Sequence, residues 1–214
     1  MPDRDIEFAS VVATFDAKAQ VLKLPDLPVL ESTFETTANV EPILSDAGAG
    51  RAVRLRRHRL DVLLLPNRIE IVSQEPVLDN PLTERMALAT SHAAGLFPSG
   101  IWRLMGYNFV YVWDADQPAM QVIGKRLLSS KDLSDKINHN ILGGAASLWM
   151  EMGDSILLLR VEPRGMDRVT KKIWLNANFT ANLDGEIPAT EAITSSIQEK
   201  HSQLKEILGT VGVW

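Results

Sequence analysis

The chain has 214 residues, of which 45% are hydrophobic and 23% are charged, and its formal net charge at pH 7 is −5. These values are typical of a soluble globular domain, and no apolar run approaches the ~20 residues that a membrane-spanning helix requires. The absence of cysteine excludes disulfide bonds, thiolate metal sites and cysteine catalysis, and it suits a reducing cytoplasm. The charged start also lacks the apolar stretch of a signal peptide. We therefore expect a soluble, cytoplasmic domain with no membrane contact.

Residues 1–50 have the least regular pattern in the chain. Apolar residues between positions 6 and 15 indicate a strand, which we place at the edge of a sheet. Pro25, Pro28 and Pro42 interrupt the segment after this strand, because proline fixes its own backbone angle and donates no hydrogen bond. The prediction for residues 1–50 is an edge strand followed by an ordered but irregular arm.

A hairpin is predicted next along the chain. Two strand-like runs, 53–65 and 68–73, flank the pair Pro66-Asn67. Proline presets its backbone angle and asparagine tolerates turn geometry, so this pair favours a tight reversal between the two strands.

A helix and a long strand come after the hairpin. Asn80 suits the cap of this helix and Pro81 its first position, and the apolar stripe ends at Gly95. The strand at 101–116 concentrates more aromatic surface than any other stretch, and both of its faces are mostly apolar. We expect it to be covered on both sides, with Asn108 hydrogen-bonded to a neighbouring element.

The rest of the chain predicts a helical region, three strands and a final helix. Interrupted periodicity in 118–137 predicts one broken helix or two short ones. Gly153-Asp154 suits a two-residue turn within a meander, whose last strand, 170–183, alternates apolar and polar side chains. An apolar stripe at about 189–208 predicts the last helix, and Thr190 suits its cap.

These elements predict an α+β fold in a single domain. Short links between grouped strands favour a mainly antiparallel sheet of about six to seven strands, with two to three helices packed on it. The irregular arm occupies 1–50, the hairpin, helix and aromatic strand occupy 51–116, and the helix, meander and C-terminal helix occupy 117–214. Asn-Phe pairs at 108–109 and 178–179 are weak evidence that the two halves are a repeat.

The strand at 170–183 provides the first candidate binding surface. Its amide side chains supply donors and acceptors at regular spacing, which suits a sugar, a peptide strand or another subunit. A solvated sheet face is the alternative. The apolar C-terminal tail is expected to fold back into the core or to dock on another chain. The candidate binding residues of these two regions are Trp174, Asn176, Asn178, Asn182 and Trp214.

A run of arginines provides the second candidate surface. If the run lay in a hairpin strand, Arg54 and Arg56 would occupy one face, and Arg57 and Arg59 the other. Because the protein is acidic, we expect these side chains to pair with Asp and Glu, here or on a partner. Contact with the phosphates of a nucleic acid is the alternative.

Asp114 and Asp116 are the acidic pair with a catalytic interpretation. Two carboxylates two residues apart at the end of a strand point the same way and can share Mg²⁺. The pair resembles the nucleophile motif of haloacid-dehalogenase phosphatases, and the resemblance implies metal-dependent phosphoryl transfer. Pro118 stands where that motif has Thr or Val, and the pair lies mid-chain rather than near the start of its domain. Asp184 and Glu186, at another strand end, are candidates to complete such a site.

Other catalytic motifs are missing from the sequence. The four histidines lack metal-binding spacing, and there is no G-x-S-x-G elbow. We therefore predict a non-catalytic protein-binding or assembly subunit of a homo- or hetero-oligomeric complex, with no cofactor. The first alternative is a Mg²⁺-dependent phosphoryl- or nucleotidyl-processing enzyme that uses Asp114 and Asp116. The second is a nucleic-acid-binding protein that uses the arginines from Arg54 to Arg59.

Overall fold

The computed structural model describes residues 6–15, 24–34, 40–45, 48–127, 144–165 and 169–211. Within these ranges the chain forms nine β-strands and four α-helices. A 3₁₀ turn, Arg56–His58, connects the third and fourth strands. The elements in chain order are β1 (Ile6–Phe15), α1 (Leu27–Thr33), β2 (Val40–Ser45), β3 (Gly48–Leu55), β4 (Leu60–Leu65), β5 (Arg68–Ser73), α2 (Asn80–Gly95), β6 (Trp102–Asp114), α3 (Ala119–Leu127), β7 (Ala146–Met152), β8 (Ser155–Pro163), β9 (Lys172–Gly185) and α4 (Thr190–Val211).

The described strands belong to one antiparallel sheet, in the spatial order β2-β3-β4-β5-β1-β6-β9-β8-β7. The α+β class and the antiparallel sheet are confirmed, but there are more strands and helices than we predicted. Two of the additional elements, α1 and β2, lie where we predicted an irregular arm. The third arises because the 3₁₀ turn splits the run at 53–65 into β3 and β4. This split occurs where Arg59 has a φ of 51°, a left-handed value that ends the extended backbone.

β1 lies in the middle of the sheet, between β5 and β6, so our placement of this strand at an edge was wrong. Its inward side chains, among them Val11 and Ala13, are fully buried, as a central strand requires. β2 occupies an edge position instead. That position explains why Pro42 is tolerated within a strand, because one side of an edge strand forms no ladder hydrogen bonds.

The two halves of the chain have the same order of elements. In the first half, β1 is followed by α1, a meander that returns to pair with β1, and then α2. In the second half, β6 is followed by α3, a meander that returns to pair with β6, and then α4. The halves meet at the β1–β6 pair, and the first has an additional outer strand, β2. The two Asn-Phe pairs do not mark this correspondence, because Asn108 and Asn178 lie opposite each other on strands of the same half.

The core lies between the sheet and the helices, which contact β1, β4, β5, β6 and β8. Alternate side chains of β6 and β9 point into it, at the positions that the sequence alternation predicted. Full burial of one large apolar side chain stabilises the fold by about 1.5–3 kcal/mol, so these two strands are a major source of stability. The buried positions are Met105, Tyr107, Phe109, Tyr111 and Trp113 on β6, and Ile173, Leu175, Ala177 and Phe179 on β9.

The ends of α2 and α4 differ in detail from the prediction. α2 is capped by Asp79 rather than Asn80: Asp79 Oδ1 accepts a hydrogen bond from the backbone N–H of Leu82 at 2.8 Å. Thr190, which we predicted as the cap of α4, is the first residue of that helix. Its hydroxyl shares a hydrogen bond of 2.8 Å with Ser91 Oγ, so it connects α4 to α2.

Both predicted two-residue turns are confirmed. Pro66-Asn67 connects β4 to β5, and Gly153-Asp154 connects β7 to β8. Gly153 has a φ of 67°, which a residue with a side chain rarely adopts. Asp154 accepts a hydrogen bond of 2.9 Å from Lys200 Nζ, so this second turn is attached to α4.

α3 confirms the first part of the helical region predicted after the aromatic strand. Its Ala119 and Ile123 are buried, and it packs on β8. The remainder of that prediction, at 128–137, lies outside the described residues. Among the described helices, none is both long and apolar enough to cross a membrane.

Candidate binding surface

The described helices pack on one side of the sheet, and we call the other side the open face. α2, α3 and α4 contact the strands through their inward residues. The end of α1 lies with α2 beside the inward residues Leu55 and Leu60. Our prediction that β6 would be covered on both sides is met only in part: no described helix packs on its second side, yet Val110 on that side is fully buried. One side of β6 belongs to the open face, where Leu104 is 38% exposed.

A row of side chains in register crosses the open face from β5 to β7. The row is polar at the centre of the sheet and apolar toward the β7 edge. Asn108 Nδ2 donates a hydrogen bond of 3.0 Å to Ser10 Oγ, so the amide that we expected to need a partner finds it on the neighbouring strand. In spatial order the row is Val72, Ser10, Asn108, Asn178, Leu158 and Trp149.

A depression of about 300 Å³ lies at the centre of the open face, beside Gly106. A Cβ at Gly106 would meet its nearest neighbour, a backbone oxygen, at an ordinary contact distance of 3.7 Å, so the missing side chain leaves space there. Thr180 Oγ1 donates a hydrogen bond of 3.0 Å to Asn178 Oδ1 in this depression. Arg68 Nε and Glu70 Oε2 lie 4.0 Å apart on its other side. The depression therefore combines amides, a hydroxyl and an ion pair.

The structure places four of the predicted binding residues on β9, along the open face. Asn178 lines the depression, Asn176 and Trp174 are half-buried, and Asn182 is exposed. Asn176 Oδ1 is inaccessible to water and has no hydrogen-bond partner among the described residues. An unsatisfied acceptor of this kind costs about 1–3 kcal/mol. Trp214, the fifth predicted residue, lies outside the described residues.

An apolar patch occupies the open face at β7 and β8. It consists of Trp149, Ile156 and Leu158, and we call it the β7–β8 patch. Trp149 is 71% exposed and Ile156 is 49% exposed, while Leu158 is half-buried between Trp149 and Asn178. We did not predict this patch from the sequence. The available signal was Trp149 itself, a single aromatic residue that shares its strand face with the polar side chains of Ser147 and Glu151.

We had assumed that the whole arginine run lies in a hairpin strand, but the strand ends after the first of the four candidate arginines. Arg54 is on β3, Arg56 is in the 3₁₀ turn and Arg59 follows that turn, and these three line a cavity of about 380 Å³. Arg54 contacts Glu41 at 3.4 Å and Arg59 contacts Glu75 at 3.0 Å. Two of the arginines therefore already pair with acidic side chains of the same chain.

Arg57, also predicted to bind, belongs to the same 3₁₀ turn. Its backbone turns with the two residues beside it, so the alternation of a strand does not apply to this position. Its side chain lies outside the described part of the structure.

The structure does not bring the carboxylates of β6 and β9 together. Asp114, at the end of β6, is exposed and lies opposite Lys172 of β9, and Asp116 is exposed in the bend that follows. β6 and β9 are neighbours, but they are antiparallel. Asp184 therefore lies twelve residues along β9 from Lys172, about 40 Å away at ~3.4 Å per residue. The described residues contain no group of three or more acidic or histidine side chains able to hold a metal ion.

Polar side chains also meet on the helix side of β6. Tyr111 Oη and His201 Nε2 lie 2.7 Å apart, so this histidine of α4 is hydrogen-bonded in the core. Burial raises the pKa of Tyr107, and a hydrogen bond with Ser196 partly offsets the increase. These contacts attach α4 to the sheet, which is a structural role for all four side chains.

Comparison with known proteins adds no functional assignment: no protein-family model matches the chain, and no curated protein matches it.

Proposed function

We propose that this protein is a non-catalytic binding subunit whose open face contacts another protein chain, either a second copy or a different protein. The observation that carries the proposal is the β7–β8 patch, in which Trp149 is 71% exposed beside Ile156 on a sheet face that no described helix covers. Tryptophan is enriched in protein interfaces because it buries a large area and has few rotatable bonds. We place the complex in the reducing cytoplasm, since the chain contains no cysteine.

The polar centre of the open face supports the same proposal. Protein interfaces combine an apolar anchor with hydrogen-bonding groups around it. Here the row from Trp149 to Asn108 crosses four adjacent strands, about 14 Å at the usual strand spacing of ~4.8 Å. A partner anchored at Trp149 would therefore reach the amides of Asn178 and Asn108 within one contact surface.

The charges of the open face favour a protein over a nucleic acid. Arg160 lies opposite Asn176, Glu162 lies opposite Trp174, and Arg68 is near Glu70. These basic and acidic side chains are interspersed, so they form no continuous positive stripe. Phosphate recognition depends on such a stripe, whereas mixed charges suit the polar rim of a protein interface.

Molar mass in solution tests the self-association form of the proposal. By size exclusion with light scattering, we expect a wild-type mass of two or more times 23.7 kDa. The double variant Trp149→Glu/Ile156→Glu should elute as a monomer, because two charges in the β7–β8 patch oppose its burial. Leu88→Glu is the matched control, since Leu88 is 48% exposed, about as much as Ile156, but lies on the helix side of the sheet.

A wild-type monomer would redirect the test to a different partner protein. In that case the tagged wild type should retain a stoichiometric partner through purification, and the double variant should lose it while Leu88→Glu keeps it. A monomer that retains no such partner would contradict the proposal.

A further inference from the structure

A separate cavity of about 300 Å³ lies on the helix side of the sheet, between α2, the end of α1 and the 3₁₀ turn that connects β3 to β4. Leu55 and Leu60, on either side of the turn, form one apolar wall, and Leu88 of α2 forms another. Leu88 is 48% exposed, so the cavity is accessible from solvent. Its volume is at the lower end of the range for small-molecule sites, which is ~300–1,000 Å³.

The ionisable side chains that line this cavity are all capable of positive charge. Arg85 and His92 come from one face of α2, seven residues apart, and His58 comes from the 3₁₀ turn. No carboxylate belongs to the described lining, although the protein as a whole has a net charge of −5. The cavity is therefore a local basic site with apolar walls.

Arg85 has an unsatisfied donor. Its Nε is inaccessible to water and has no hydrogen-bond partner among the described residues. Buried donors of this kind are rare in folded proteins, because leaving one unpaired costs about 1–3 kcal/mol. Arginine also presents its N–H groups in a planar fork that matches a carboxylate. Because the buried Nε is closed to a ligand as it is to water, the ligand class follows from the positive charge and the planar fork of Arg85, and both match an anion.

We propose that this cavity binds a small monocarboxylic acid with an aliphatic body. The carboxylate pairs with Arg85, and the aliphatic chain lies against Leu55, Leu60 and Leu88. This site is separate from the open face, because α2 packs on the opposite side of the sheet. The proposal is therefore independent of the proposed protein-binding function.

Isothermal titration calorimetry with octanoate and 1-octanol tests the proposal. The two probes share an aliphatic chain, and only octanoate carries a charge at pH 7. We expect saturable binding of octanoate with one site per chain, and binding of 1-octanol at least tenfold weaker. Arg85→Met keeps an unbranched apolar side chain and removes the guanidinium, so it should weaken octanoate at least tenfold and leave 1-octanol unchanged.

Leu88 supplies a second variant that does not depend on Arg85. Leu88→Glu places a carboxylate at the wall and should weaken octanoate at least fivefold more than the neutral Leu88→Gln does. Arg56→Met, which changes an arginine that lines the cavity on the other side of the 3₁₀ turn, should have no effect. Equal affinity for both probes, full affinity in Arg85→Met, or no saturable octanoate binding would overturn the proposal.

Discussion

The contact between Asp154 and Lys200 gives the most quantitative prediction. Lys200 of α4 is the one charged residue among the buried side chains of the described chain, with 4% of its surface exposed, and its Nζ donates to Asp154 Oδ1 at 2.9 Å. Asp154 lies in the β7–β8 turn, and its side chain is 79% exposed. Asp154→Ala therefore removes the partner of a buried ammonium group without disturbing the core.

The loss of stability expected for Asp154→Ala depends on the different exposure of Asp154 and Lys200. An unpaired buried donor costs about 1–3 kcal/mol, and more when it is charged. Because Asp154 is mostly exposed, water reaches the contact in part, and the lower part of that range applies. We expect Asp154→Ala to lower the free energy of unfolding by about 1–2 kcal/mol, a fall in Tm of roughly 2–8 °C for a chain of this size. Lys200→Met should cost less, since it removes the buried charge together with its need for a partner.

Urea denaturation followed by tryptophan fluorescence at pH 7 measures these differences. Asp116→Ala, at an exposed carboxylate of the bend after β6, is the matched control and should change stability by less than about 0.5 kcal/mol. A double-mutant cycle with Lys200→Met isolates the pairwise contribution. A cost of Asp154→Ala no larger than that of the control, or a larger cost of Lys200→Met than of Asp154→Ala, would refute the reasoning.

The same contact predicts a pH dependence. The hydrogen bond from Lys200 lowers the pKa of Asp154 below its ordinary value. A carboxyl group with a lowered folded-state pKa contributes stability that is fully present above its unfolded pKa and is lost as the pH falls through the folded pKa. The stability difference between wild type and Asp154→Ala should therefore be constant near neutral pH and shrink below about pH 4.

Two further predictions compare pairs of substitutions, one at two glycines and one at the start of α2. Gly50→Ala should lower the free energy of unfolding by about 1–3 kcal/mol, because the added Cβ would lie 2.5 Å from a backbone oxygen of β4. Gly95→Ala should raise it by up to about 1 kcal/mol, because no other atom lies within 4 Å of the added Cβ. Asp79→Ala should cost about 1 kcal/mol through loss of the α2 cap, and Asn80→Ala clearly less. Thermal and urea denaturation measure both comparisons; equal effects within either pair would contradict the assignments.

The secondary structure was most predictable where one side of an element is uniformly apolar. In β9 the residues Ile173 and Leu175 point inward while Asn176 and Asn178 point outward, so a period of two was visible in the sequence. α1 and β2 were missed because each is short and contains a proline, which local rules treat as an interruption. Both elements depend on position in the fold: Pro28 is near the start of its helix, and Pro42 is in an edge strand.

The arrangement of the strands was not predictable from local patterns. Nothing in the sequence of β1 distinguishes a central strand from an edge strand, because its neighbours β5 and β6 are distant in the chain. The same limit explains the candidate site at Asp114 and Asp184. Their strands are neighbours, as that site required, but the antiparallel direction separates the two carboxylates. The exposure of Trp149 likewise depends on which face of the sheet the helices cover.

Site-specific photo-crosslinking from the open face tests the central claim most directly. The photoreactive residue p-benzoylphenylalanine replaces Trp149 in one variant and Leu88 in a control variant, since both positions are exposed, on opposite sides of the sheet. We predict that irradiation of the native assembly yields one defined protein adduct from position 149 and none from position 88. Defined adducts only from position 88, or none from position 149 in cells and in purified protein, would contradict a protein-binding open face.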